Sequence, residues 1–148
     1  MSKQPKVLFL ATGDASRGQM AEGFLCAMAP GVFKTANTAV ESTGCDRLTD
    51  EVMREAGVDI SRQKPMRLAQ SLKQHFGYVI TIFDSSREKS PVFPFTLKLL
   101  RWDLRDPEAE TESPQRGAAF RRTREEIRSR VREFLSDLNQ QENGRVAA

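Results

Sequence analysis

Near the N-terminus, a short apolar run leads through a glycine-containing turn into a helix-forming segment, and this stretch, Lys6–Glu22, constrains the fold most. Residues 7–10 are all apolar, as in a buried strand, and the segment after Arg17 has the composition of a helix. In a parallel sheet, the loop between them lies at the carboxyl end of the strand, with the first amide groups of the helix pointing into it. The stretch therefore predicts a strand, a loop suited to an anion, and a helix, in that order.

Four segments are predicted to form strands. The first is Lys6–Leu10, and the others are Thr38–Thr43, Tyr78–Phe83 and Thr96–Trp102. Tyr78–Phe83 is the run richest in β-branched and aromatic residues, which predicts a buried strand, whereas Thr96–Trp102 carries a weaker signal. Because the first strand has apolar residues on both faces, it suits the centre of a parallel sheet.

Helical segments separate the predicted strands. Arg17–Met28 has apolar residues at helical spacing, Thr49 is the expected N-cap of a short helix that Gly57 ends, and Arg67–His75 indicates another helix. Strands that alternate with helices in this way indicate an α/β fold with a parallel sheet and right-handed crossovers.

A long helix is predicted at the C-terminal end of the pattern. Ser113 and Pro114 are the expected N-cap and first helical residue. Its core-facing stripe consists of apolar residues at helical spacing, namely Phe120, Ile127, Val131, Phe134 or Leu135, and Leu138. We expect residues 1–139 to form a single α/β domain and residues 140–148 to form a flexible tail.

Charge and cysteine content exclude several classes of function. A net charge of +3 attracts anions in general but disfavours a dedicated nucleic-acid surface. The apolar runs are far too short for a signal peptide or a membrane span, so we expect a cytoplasmic protein with no membrane partner. Cys26 and Cys45 are widely spaced and the chain has one histidine, so no disulfide framework, metal site or cofactor is expected.

Four stretches together resemble the low-molecular-weight protein tyrosine phosphatases and their close relatives, the thioredoxin-coupled arsenate reductases. They are VLFLATGDASRGQMAEGFL, DEVMREAGVDIS, VITIFDSSREKSPVFP and RWDLRDP, and their order and spacing span nearly the whole chain. The resemblance implies a three-layer fold. A four-stranded parallel sheet in the order 2-1-3-4 would have helices on both faces and the anion loop at the end of its first strand.

The sequence departs from this family where the chemistry takes place. The family's loop begins with a nucleophilic cysteine and ends with an arginine followed by serine or threonine, whereas the matching residues here are Ala11, Arg17 and Gly18. The two further cysteines of the arsenate reductases match Phe83 and Ser90. Attack on phosphorus or arsenic at neutral pH needs a thiolate, and a methyl group has no lone pair. No intact catalytic set is therefore predicted.

Part of the anion site remains. The resemblance assigns anion binding to the loop Thr12, Gly13, Asp14, Ala15, Ser16 and Arg17, with Arg17 forking onto the oxygens of the anion. An exposed arginine at a helix start is the alternative for Arg17. Asp106, followed by Pro107, matches the family's general acid, which here has no covalent step to assist. Trp102 is expected to pack in the core near the site.

Two functions follow from these residues. The first is a catalytically inactive pseudophosphatase with a remnant oxyanion loop, which binds phosphate, a similar oxyanion or a protein partner without turnover. The second is an active phosphatase or arsenate reductase that uses an unrecognised nucleophile. Cys45, after the Ser42–Gly44 turn, is the candidate substitute thiol, and Ser16 is a weaker one because no histidine or lysine beside it would activate it.

Asp14 adds a charge where the family usually has asparagine. Its carboxylate would repel an external phosphate. If the side chain reaches Arg17 or the loop amides, it would act as an internal anion and shut the old pocket; if it points into solvent, the hollow stays open. Whether the loop binds anions therefore depends on where this side chain lies.

Overall fold

The computed structural model describes residues 4–41, 44, 46–93 and 96–147. Its centre is a four-stranded sheet made of β1 (Lys6–Ala11), β2 (Lys34–Ala39), β3 (Phe76–Phe83) and β4 (Thr96–Asp103). Every neighbouring pair is parallel and the strand order is β2-β1-β3-β4, which confirms the predicted topology.

Among the described residues, the helices are α1 (Ser16–Met28), α2 (Arg47–Glu55), α3 (Leu68–Ser71) and α4 (Gln115–Ala147), and the 3₁₀ turn is Pro107–Ala109. α1 lies between β1 and β2, α2 and α3 lie between β2 and β3, and the 3₁₀ turn and α4 follow β4. Because successive side chains of a strand point to opposite faces, β1 contributes to two cores. Val7 and Phe9 pack with α1, α2 and α4 on one face, and Leu8 and Leu10 pack with Leu68 of α3 and the 76–93 segment on the other.

The predicted stripe of α4 is confirmed. Phe120, Ile127, Val131 and Phe134 are buried, and Leu135 and Leu138 pack at the edge of the same core. The helix begins at Gln115, so Ser113 and Pro114 precede it and do not occupy the predicted cap and first positions. It runs to Ala147, past the boundary predicted at residue 139. The flexibility of residues 140–148 stays a prediction.

The second strand and the cap of α2 lie away from their predicted positions. β2 covers Lys34–Ala39, so it begins four residues before the predicted start at Thr38 and pairs with β1 from Lys6 onwards. Its small and polar residues carry little apolar signal, and the end of the predicted strand, residues 42–43, lies outside the described residues. Asp46 caps α2 by accepting a hydrogen bond from the Leu48 amide at 2.8 Å, so the prediction of Thr49 is wrong. Thr49 is instead buried.

The segment Arg67–His75 forms much less helix than predicted. α3 is a single turn, and β3 already begins at Phe76, two residues before the predicted start. Gly57, with a φ of 80°, follows the end of α2 as predicted.

Trp102 is 5% exposed and its ring centroid lies 5.9 Å from that of Phe9, so its predicted place in the core is confirmed.

Within the described residues, no helix is both long enough and apolar enough to cross a bilayer.

Candidate anion site at the carboxyl edge of the sheet

The loop between β1 and α1 is held by backbone hydrogen bonds to its neighbours. The Thr12 amide donates to the Ile82 carbonyl at 3.0 Å, and the Ala15 amide donates to the Gly44 carbonyl at 3.4 Å. α1 begins at Ser16, so the predicted order of strand, loop and helix is confirmed. The loop therefore lies at the carboxyl ends of β1 and β3, where the sequence pattern placed it.

Arg17 is completely buried beneath this loop. Its exposed fraction is 0%, so the alternative of an exposed arginine at a helix start is wrong. Nη1 donates to the Leu104 carbonyl at 3.1 Å, and the guanidinium forks onto Glu88, with Nη1 at 3.0 Å from Oε1 and Nη2 at 3.1 Å from Oε2. Within the described part of the chain, Nε has no hydrogen-bond partner. Arg17 therefore pairs with a carboxylate of its own chain, with one hydrogen bond from Nη2 and with Nη1 at ion-pair distance from the other oxygen.

Glu88 is the site residue that sequence reasoning missed. It lies in the connection between β3 and β4, and its side chain is 11% exposed. Oε1 also accepts a hydrogen bond from the Asp84 amide at 2.7 Å. In the sequence, Glu88 has charged neighbours, and this pattern is typical of a solvated turn. The signal that could have found it is the rule that a buried guanidinium needs a carboxylate partner.

Gly13 allows the carboxylate to approach the loop. A Cβ atom at this position would lie 3.0 Å from Glu88 Oε2, 3.2 Å from Arg17 Nη2 and 3.3 Å from Asp106 Oδ2. These distances place the three charged groups directly over the loop backbone. A side chain at position 13 would push into the Arg17–Glu88 pair, so glycine is required by close approach and not by its backbone angles.

Asp106 lies at the same site. Its Oδ2 is 3.8 Å from Arg17 Nη2, its Oδ1 accepts from the Glu108 amide at 3.0 Å, and its own amide donates to Asp84 Oδ2 at 3.0 Å. It thereby caps the 3₁₀ turn and faces the guanidinium. The structure thus brings the residue at the predicted general-acid position to the loop, where its described contacts are those of a structural cap.

Asp14 reaches a loop amide but does not pair with Arg17. Oδ1 accepts from the Ser16 amide at 3.0 Å, and Oδ2 accepts from the Ser16 hydroxyl at 3.4 Å. Burial raises the pKa of Asp14, and the nearby charge of Asp106 raises it further, against the hydrogen bonds from Ser16. Asp14 therefore makes one of the two contacts expected of an internal anion, the contact with a loop amide. The other expected contact, with the Arg17 guanidinium, is made by Glu88.

Ala11 and Ser16 are both fully buried. The Ala11 methyl group belongs to the core cluster that contains Phe9 and Ile82. The Ser16 hydroxyl accepts a hydrogen bond from the Thr49 hydroxyl at 2.9 Å and donates to Asp14, so it has the environment of a structural residue.

Neither cysteine has a described position at the loop. Cys26 is exposed on α1, ten residues beyond Ser16, which is about 15 Å along the helix, and its sulfur contacts the Thr35 hydroxyl at 3.3 Å. It therefore lies far from the loop. Cys45, with Ser42 and Thr43 of the preceding turn, lies outside the described residues, so its predicted candidacy as a substitute thiol stays a prediction.

The positions that resemble the later cysteines of the arsenate reductases border the site. Phe83 ends β3, and the Ser90 hydroxyl lies 3.4 Å from that of Thr81. Neither side chain can form a disulfide.

A second charged cluster lies beside the loop. Arg116 of α4 donates to the carboxylates of Asp46 and Glu108, in the latter case at 2.8 Å. Burial, together with the negative charge of Asp14, raises the pKa of Glu108 to about 7, whereas the hydrogen bond from Arg116 lowers the pKa of Asp46. The described ranges contain no group of three or more histidine, cysteine or acidic side chains placed to hold a metal ion.

The chain is similar to known proteins over nearly its whole length. Residues 6–144 match the family described as low molecular weight phosphotyrosine protein phosphatase. The chain belongs to this family. A curated relative, the arsenate reductase of Bacillus licheniformis, is 33% identical over 135 residues, which cover 90% of this chain and 96% of that enzyme.

Solved structures agree with the family assignment at the level of the fold. An arsenate reductase in the phosphate binding state superposes with a TM-score of 0.74 at 24% identity, covering 90% of this chain and 98% of that one. The low molecular weight protein tyrosine phosphatase from T. tengcongensis superposes with a TM-score of 0.69 at 21% identity, with coverages of 90% and 99%. These superpositions confirm the predicted fold, and the family match over residues 6–144 confirms the resemblance seen in the sequence.

Proposed function

We propose that this chain is a catalytically inactive member of the phosphatase family that acts by binding, with a protein or an oxyanion as its partner. The observation that carries the proposal is Ala11, whose buried methyl group occupies the position that matches the family's nucleophilic cysteine. A covalent route through phosphorus or arsenic needs a thiolate at this point, and alanine supplies neither a lone pair nor an ionisable proton.

The rest of the site supports a binding role. A general acid at Asp106 speeds a reaction only when a nucleophile has begun to displace a leaving group. The electrostatic part of the loop alone supplies a limited rate enhancement when the covalent partner is lost. Arg17 and the loop therefore remain suited to holding a negatively charged group, and the turnover step is missing.

The similarity to arsenate reductases favours a second candidate, an active enzyme with a different nucleophile. The described contacts of Ser16 and the position of Cys26 offer it little support, because Ser16 is buried against Asp14 and Thr49, and Cys26 lies far along α1.

The proposal is tested by assaying the purified chain for hydrolysis of para-nitrophenyl phosphate and for arsenate reduction in the presence of thioredoxin. We expect no turnover above a mock purification. The matched variant is Asp106→Asn, which preserves the shape of the side chain and its acceptor for the Glu108 amide. Turnover by the native chain that Asp106→Asn abolishes would refute the proposal, because it would show that this site catalyses.

Restoring the nucleophile is a second test. Ala11→Cys is expected to give at most weak phosphatase activity, with Ala11→Ser as the inactive control of similar volume. Asp14 would raise the pKa of the new thiol by like-charge repulsion, and Gly18 supplies no hydroxyl to the thiolate. A Cβ atom at Gly18 would lie 3.3 Å from that of Asn37, so adding a hydroxyl there requires local adjustment. Activity equal to that of an authentic family member would show that the loop is undamaged.

A further inference from the structure

We propose that Glu88 is the resident anion of the loop, so that the site is closed from within and an external oxyanion binds only in competition with this side chain. The inference rests on the proposed function, since it describes how the same binding loop is regulated. In the Asp14 hypothesis the internal anion is a residue of the loop itself, whereas Glu88 comes from the β3–β4 connection and pairs with the Arg17 guanidinium.

Glu88 occupies the guanidinium that a bound oxyanion would use, and its second donor is the Asp84 amide. Its two carboxylate oxygens lie 3.0 and 3.1 Å from the two terminal nitrogens of Arg17, which is 0% exposed. Glu88 Oε2 lies so close to the loop that a Cβ atom added at Gly13 would be 3.0 Å from it. An anion that entered to use the Arg17 fork would need the space and the donors that Glu88 now uses.

The β3–β4 connection is shaped to deliver this carboxylate. The amides of Arg87 and Glu88 donate to the Asp84 carbonyl at 2.9 and 2.6 Å, which forms a turn that starts where β3 ends. The Asp84 amide in return donates to Glu88 Oε1 at 2.7 Å. One residue further on, the Lys89 carbonyl accepts from the Thr12 hydroxyl at 3.1 Å, so the turn is attached to the loop at two successive residues.

The charges around Arg17 favour the internal anion over an external one. Asp106 Oδ2 lies 3.8 Å from the guanidinium, and Asp14 lies within the loop itself. A phosphate dianion would have to displace Glu88 and then sit near both carboxylates, each of which repels it. A tethered carboxylate also competes at a high effective concentration, because it never leaves the vicinity of its partner.

The test is a phosphate titration, followed by calorimetry and by thermal unfolding, at constant ionic strength. The variants are Glu88→Gln and Glu88→Ala. The matched control is Glu41→Gln, which removes the same charge from an exposed residue whose amide donates to the Gly13 carbonyl at 3.2 Å. We expect both Glu88 variants to bind phosphate at least about tenfold more tightly than the native chain, and the control to bind as the native chain does.

The inference would be overturned if both Glu88 variants bound phosphate no more tightly than the native chain. Should both variants unfold in phosphate-free buffer, recovery of cooperative unfolding on adding phosphate supports it, and failure to recover contradicts it. This result is separable from the proposed function: turnover by the native chain would remove that proposal and leave the affinity gain intact, whereas no gain would leave the inactivity intact.

Discussion

Two arginine–glutamate pairs in this protein have similar nitrogen–oxygen distances and very different surroundings. Arg17 forks onto Glu88 at 3.0 and 3.1 Å at the carboxyl edge of the sheet. Arg121 of α4 forks onto Glu55 of α2, with Nε at 3.0 Å from Oε1 and Nη2 at 2.9 Å from Oε2. The side chains of the first pair are 0% and 11% exposed, and those of the second are 51% and 42% exposed.

The difference shows that burial, and not the fork itself, decides what such a pair does. Hydrogen bonds from Arg121, and then from Arg124, lower the pKa of Glu55 to about 2, but at an exposed site solvent screens the interaction and little of it becomes stability. The buried guanidinium of Arg17 has lost its hydration, so removing its carboxylate leaves an uncompensated charge. The first pair therefore controls both stability and access to the loop.

The largest effect is expected for Glu88→Ala. In phosphate-free buffer, this variant should lower the free energy of unfolding by about 3 kcal/mol, because Arg17 remains buried without its main carboxylate. Denaturant titration measures the change, with Glu41→Ala as the exposed control. A loss no greater than that of the control would show that the buried pair stabilises the fold no more than an exposed carboxylate does.

A smaller loss is expected when the scaffold is disturbed away from both pairs. A Cβ atom at Gly23 of α1 would lie 2.7 Å from Ile60 Cγ2 and 3.1 Å from Met53 Cε, so Gly23→Ala overpacks the core and should cost about 1–3 kcal/mol. Its phosphate response should equal that of the native chain, because the Arg17–Glu88 pair is untouched. If Gly23→Ala also gained phosphate affinity, general loosening and not the loss of Glu88 would explain an open loop.

The third effect concerns the charged cluster beside the loop. The pKa of Glu108 is raised from 4.5 to about 7, so between these values the native chain holds a proton that the unfolded chain has released. Stability should therefore fall as the pH rises from about 4.5 to about 7, by about 1 kcal/mol, since a side chain 29% exposed is partly screened.

Glu108→Gln should flatten this slope when denaturant midpoints are measured across the same pH range. The raised pKa of Asp14 adds a slope of the same sign, and the lowered pKa of Asp46 acts only in more acidic solution, where its stabilising contact with Arg116 is lost. An unchanged slope in Glu108→Gln would contradict the assignment of the pH dependence to Glu108.

The smallest effect is expected at the exposed pair. Glu55→Gln should shift the unfolding midpoint least of these changes at moderate salt, because Glu55 and Arg121 are well solvated. The shift that does occur should come from Arg124, which also binds Glu55 and has a side chain that is 14% exposed. A clear loss at high salt would show that the α2–α4 surface depends on this pair, and would remove the contrast with Arg17 and Glu88.

Features carried by neighbouring residues were predictable. The strand, loop and helix from Lys6 onwards, the strand that ends at Phe83 and the stripe of α4 all appear as short-range patterns of apolar residues, and the structure has them. β2 and the cap of α2 were misplaced, since small polar residues on an edge strand leave no clear pattern and several adjacent residues were suitable caps.

The sequence alone determined that Arg17 and Asp106 are present and that Ala11, Phe83 and Ser90 cannot supply sulfur, because a side chain's chemistry does not depend on its surroundings. Only the tertiary structure decided which anion Arg17 holds. Glu88 is 71 residues away along the chain and is one of several acidic residues that local patterning cannot distinguish. Folding buries the guanidinium beside the β3–β4 turn, and the cost of leaving a desolvated charge unpaired selects that carboxylate as its partner.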